Sequence, residues 1–131
     1  RSGPGALEAV RRLDSAMLTG PPSFDVTMSG GENLIAAAAW QRLGRPVEAL
    51  AAVRRRAYGG LWPTRFLADA LREEGALALA TADTAGALKA WRHYLALRTT
   101  VDTALAPERD RIRTAIAALL PVPISLPSPG R

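Results

Sequence analysis

Apolar residues recur along the chain at spacings of three and four, interrupted by Gly, Pro and short polar residues, so the pattern predicts helices separated by turns. Ala6, Leu7, Val10, Leu13 and Met17 share one stripe of a first helix over residues 5–18, which Gly20, Pro21 and Pro22 close. A polar linker then ends in Ser29. With Glu32 it has the spacing of a capping box and opens a second helix that runs to Gly44. Gly44 suits the left-handed residue that stops a helix, and Pro46 suits the first turn of a third, which reaches Ala57. Gly59 and Gly60 break the chain again. Pro63 opens a fourth helix to Ala80, Asp83 caps a fifth over residues 84–98, and Pro107 opens a sixth that ends near Leu120. Residues 121–131 carry four prolines and read as an extended tail.

A short string returns in three of these helices. Ala6-Leu7-Glu8-Ala9-Val10-Arg11 recurs as Ala49-Leu50-Ala51-Ala52-Val53-Arg54 and as Ala87-Leu88-Lys89-Ala90-Trp91-Arg92, with four of six positions identical at offsets of 43 and 38 residues. Each copy opens an odd-numbered helix, and an even-numbered helix precedes each of the last two. The repeating unit is therefore a helix pair, and helical units of this length belong to the solenoid class.

At these residues the chain resembles the tetratricopeptide repeat (TPR) family, whose signature sets a small and a large residue on one helix against an Ala and a large residue on the next. Ala37 and Trp40 with Ala49 and Val53 match it in one unit, and Gly75 with Ala87 and Trp91 in the next. The pattern departs at Asn33 and Leu71 (Trp in the family), at Ala36 and Glu74 (Leu) and at Ala78 (Tyr). Residues 71–119 are similar to the C-terminal repeat regions of large bacterial regulators and receptor-like Ser/Thr kinases from high-GC phyla. The resemblance implies an all-α fold, a TPR-like solenoid of antiparallel helix pairs with about six helices. It assigns half a repeat to residues 5–18, whole repeats to 30–57 and 63–98, and a capping helix to 107–120, all within one domain over residues 1–120. The first helix then lacks its partner, which is expected to lie upstream of Arg1 or to be missing.

Composition narrows the chemistry. The chain has 131 residues, among them 26 Ala and 18 Leu, strong helix formers, while residues that favour pleated sheets are scarce. With no Cys and only His93, thiol chemistry and Cys/His zinc sites are excluded, and no carboxylate cluster replaces them, so neither catalytic residues nor cofactor are expected. Glu73 and Glu74 are adjacent acids that point about 100° apart on a helix and cannot serve one substrate. Asp69, Arg72 and Glu73 read as a solvated helix face. His93 has no acid three or four residues away and reads as a surface histidine; Trp40, Trp91 and Tyr94 read as core.

The net charge of +5 comes almost wholly from Arg. Arg54, Arg55 and Arg56 spread around a helix, and Arg109, Arg111 and Arg113 form no single stripe, so pairing with Glu48, Glu108 and Asp110 on solvated faces is the expectation. Nucleic-acid binding is disfavoured because no aromatic residues interleave with the cations. The longest apolar run falls far short of the roughly 20 residues that span a bilayer, so the chain is expected to be soluble or peripheral to a membrane assembly. What remains is the inner, concave surface expected of such a solenoid. If Ala36, Ala37 and Trp40 turn toward the paired helix, Leu34, Ala38, Gln41 and Arg42 occupy the adjoining face, with Asp69, Arg72 and Ala76 on the equivalent face of the fourth helix. The resemblance implies that this face binds peptides or partner helices, Arg42 and Arg72 taking carboxylates. Leu7, Val10, Leu13 and Met17 form a second candidate patch, left open by the missing helix. The expected partner is protein: an upstream domain of the same polypeptide or, for an accessory scaffold subunit, the other subunits of a larger complex, including a membrane-bound respiratory or photosynthetic one.

Overall fold

The computed structural model describes residues 4–19, 31–55, 66–99 and 103–120. Among them are six α-helices and no strand: α1 Pro4–Thr19, α2 Gly31–Arg42, α3 Pro46–Arg54, α4 Leu67–Ala80, α5 Thr84–Leu97 and α6 Ala106–Leu119, the last preceded by a 3-10 turn at Thr103–Leu105. Ser29, the Gly59-Gly60 break, Pro63 and the proline-rich tail lie outside the described residues. The chain divides into two compact units, Arg1–Thr99 and Thr100–Arg131.

In the first unit each helix packs on the next, α1 on α2, α2 on α3, α3 on α4 and α4 on α5. The largest contacts are α2 with α3 and α4 with α5. Both of these pairs are helical hairpins joined by three residues, and both use the same turn. At the first, Gly44 sits at φ +69°, its N–H donates to the carbonyl of Gln41 and the N–H of Arg45 donates to the carbonyl of Trp40. At the second, Ala82 sits at φ +62°, its N–H donates to Leu79 and the N–H of Asp83 donates to Ala78. These are Schellman closures, which satisfy carbonyls that the end of a helix leaves unpaired. Gly44 takes the left-handed conformation at no steric cost. Ala82 bears the Cβ penalty there.

The turns fall in register at an offset of 38 residues, and so does the core. Ala36, Ala37 and Trp40 are buried, as are Glu74, Gly75 and Ala78 at the equivalent positions; Ala49, Ala52 and Val53 match Ala87, Ala90 and Trp91. Small residues let the paired helices approach, and the two hairpins divide the space differently. Where the first sets Ala37 and Val53, the second sets Gly75 and Trp91. The Trp91 indole lies on the bare backbone of Gly75, where a Cβ would stand 2.5 Å from Cε2 and closer still to Nε1 and Cδ1. Its N–H donates to the carbonyl of Arg72 at 3.3 Å, so a fully packed Trp keeps a polar partner.

Helix ends follow local chemistry. Pro46 opens α3, where its missing N–H costs nothing, and the Asp83 carboxylate caps α5 by accepting from the N–H of Gly86 at 2.9 Å. Two helices stop earlier than their sequence pattern allows. α2 ends at Arg42 because Gly44 belongs to the turn, and α3 ends at Arg54, where the N–H of Arg55 bonds the carbonyl of Ala52 in a tightened last turn. In the second unit Pro107 lies in the first turn of α6, Ile112 is buried, and Arg113 pairs with Asp110 at 3.0 Å.

Candidate functional site

The candidate surface on α2 and α4 occupies equivalent positions of the two hairpins, Leu34 with Arg72 and Ala38 with Ala76. Ala38, Gln41, Arg42 and Ala76 are exposed, whereas Leu34, Asp69 and Arg72 are half-buried. The two arginines differ in their surroundings. Arg72 is held by its own helix, with Nη1 3.4 Å from Asp69 Oδ1 and Nη2 3.2 Å from Glu73 Oε1. A carboxylate ligand would have to displace those acids. Arg42 makes no ion pair among the described residues and is the open guanidinium of this face.

The α1 stripe is partly covered, since α1 packs on α2. Leu7 and Val10 are half-buried and Leu13 is 38 % exposed, while the side chain of Met17 lies outside the described residues. Trp40, Trp91 and Tyr94 are core side chains, and His93 is exposed.

The residues that sequence reasoning missed are those that tie the hairpins together. Arg54 and Arg55 end α3 and reach in opposite directions along the chain. Arg55 donates through Nη2 to Asp14 Oδ1 of α1, and the other oxygen of that carboxylate accepts the indole N–H of Trp40 at 3.1 Å. Asn33 adds a bond from its side-chain amide to the carbonyl of Arg55 at 3.0 Å, so α1, α2 and α3 meet at one polar node. Arg54 reaches forward, with Nε 3.1 Å from Glu74 Oε1 on α4 and Nη2 2.6 Å from Asp83 Oδ2 at the cap of α5.

The expected pairing of Arg54 and Arg55 with acids on solvated faces is thereby corrected. Glu48 pairs instead with Arg45, Arg54 and Arg55 join different helices, and Arg56 lies outside the described residues. One signal was available. Glu74 stands at the register position of buried Ala36, and a carboxylate there needs a cation because an unpaired buried charge is costly. Glu74 is 8 % exposed and has that cation in Arg54.

The node shifts both charges in the direction of mutual stabilisation. The hydrogen bond from Arg54, followed by the one from the N–H of Gly86, holds the Asp83 carboxyl below its ordinary value. The bond to Asp83 is the largest influence raising Arg54, ahead of the contribution of Glu74, with partial burial opposing. Such a node ties α3 to α4 and to the cap of α5. Among the described residues no three His, Asp or Glu side chains come together as a metal site, and no helix is long and apolar enough to cross a membrane. Comparison with family models, with curated proteins and with solved structures gives no match to this chain.

Proposed function

We propose that the chain is a non-enzymatic protein–protein interaction module, built from helix pairs of TPR type and presenting the solvent-exposed faces of α2 and α4 to a partner. The observation that carries this reading is the repetition of one hairpin in one register, with the same turn, small buried residues at equivalent positions (Ala37 and Gly75, Ala49 and Ala87, Ala52 and Ala90) and equivalent outward positions. Repetition of a rigid pair sets equivalent side chains at regular intervals, which suits recognition of an extended or helical partner and gives no convergence of reactive groups. Arg42 supplies the charge-assisted contact, and Ala38 and Ala76 leave room for a backbone to approach.

A photo-crosslinking residue at position 38 or 76, with position 117 of α6 as control, tests the proposal in the source cell. The expected result is a discrete protein adduct from both positions that disappears with Arg42→Glu. Adducts to several subunits of one assembly would move the reading to an accessory scaffold subunit. Adducts to nucleic acid, or none, would overturn it.

A further inference from the structure

The repeat register exposes an unfinished version of the Arg54 node. Arg54 takes its carboxylates from residues 20 and 29 positions further on, Glu74 and Asp83, and so fixes the next hairpin to α3. On α5, Arg92 occupies the position of Arg54 and His93 that of Arg55. At 20 and 29 positions beyond Arg92 the chain carries Ile112 and Pro121, neither of which can accept a hydrogen bond through its side chain. Arg92 is exposed, as are Lys89, His93 and Ala96 at spacings of three and four along the same face. α5 contains no Asp or Glu, and neither Lys89 nor Arg92 makes an ion pair among the described residues.

We propose that this outer face of α5 docks an acidic helical hairpin of a partner protein, with Arg92 repeating toward the partner the contact that Arg54 makes within the chain. The partner's first helix carries a carboxylate among small residues, as α4 carries Glu74 beside Gly75. Its second helix opens on an acidic cap, as α5 opens on Asp83. Arg92 then gains two charge-assisted bonds in a fork geometry that Lys cannot reproduce, and Lys89 adds attraction at the rim. A nucleic-acid backbone would also meet these cations, but the face has no exposed aromatic residue for stacking, and the forward-clamp geometry is one this chain already uses for protein carboxylates.

The proposal rests on the reading of the chain as an interaction module, yet it concerns α5 alone, so it can fail while crosslinking from positions 38 and 76 succeeds, and the reverse. The full chain is titrated against a fluorescent peptide copying residues 67–97 with Arg92→Ala, which offers Glu74 and Asp83 without a second clamp. A preformed Glu-rich alanine helix serves as a second probe that needs no tertiary folding. At about 50 mM salt at least one probe is expected to bind, with affinity about tenfold weaker for Arg92→Ala receptor and unchanged for Arg113→Ala receptor, which loses the same charge at a site paired with Asp110. The Glu74→Gln/Asp83→Asn peptide is expected to lose a similar factor. Failure of both probes to bind, equal binding by the Arg92→Ala receptor, or tighter binding of duplex DNA through Arg92 would each overturn the proposal.

Discussion

Gly75→Ala is the most informative single perturbation of this fold, because local and tertiary effects pull in opposite directions. In an isolated helix the change stabilises by about 1 kcal/mol, since Gly is a poor helix former. In this structure the new Cβ falls inside the indole of Trp91, 2.5 Å from Cε2 and nearer to Nε1 and Cδ1, with α4 and α5 in close contact on either side. Trp91 is only 6 % exposed and cannot turn away without opening the hairpin. Overpacking of this kind costs about 1–3 kcal/mol, and loss of the indole bond to the Arg72 carbonyl adds about 1 kcal/mol. The net expectation is destabilisation by about 1–3 kcal/mol, which lowers the urea midpoint by roughly 1 M at an ordinary denaturant slope. Urea melts followed by far-UV circular dichroism measure it. The same substitution in a Trp91→Val background, which restores the residue pair found at Ala37 and Val53, is expected to be neutral or stabilising. An unchanged or raised midpoint for Gly75→Ala alone, or the same loss in both backgrounds, would refute the packing account.

The two turns give a complementary test: Ala82→Gly relieves a left-handed Ala and is expected to stabilise by about 1 kcal/mol, whereas Gly44→Ala is expected to destabilise by a similar amount, both read from thermal melts. Arg54→Ala leaves buried Glu74 without its cation and is expected to cost roughly 1–2 kcal/mol in urea melts, less than a fully buried pair would because Arg54 is partly solvated; Arg54→Met with Glu74→Leu is expected to recover most of it. Asp83 is held below its ordinary value in the folded chain, so its contribution is present above about pH 4 and is lost as pH falls through the folded value. Acid titration of the urea midpoint should therefore show a drop below about pH 4 that is smaller in Asp83→Asn, and an identical drop in that variant would remove Asp83 as the cause. Ala49→Leu, at a fully buried position of α3, is expected to destabilise by about 1–3 kcal/mol in the same melts.

Much of this architecture is written in local chemistry. Apolar spacing marked the helices, Gly44 and Pro46 marked the first turn, Asp83 marked the cap of α5, and the recurring Ala-Leu string marked the hairpin as the unit of repetition, because each of these signals acts within a few residues of itself. The same register placed Trp40, Trp91 and Tyr94 inside. What local signals cannot carry is the choice of partner between distant segments. Arg54 and Arg55 are consecutive cations at the end of one helix, and nothing within four residues distinguishes a solvated arginine from one that joins three helices. Only packing brought Glu74 and Asp83 to one of them and Asp14 to the other, since those acids are 20, 29 and 41 residues away in sequence and adjacent only once α1, α4 and α5 have docked. The candidate face divided in the same way. The 100° geometry of a helix sufficed to put Arg42 and Arg72 outside the core, but whether each guanidinium stays open depends on its neighbours: Asp69 and Glu73 hold Arg72, and Arg42 makes no ion pair among the described residues.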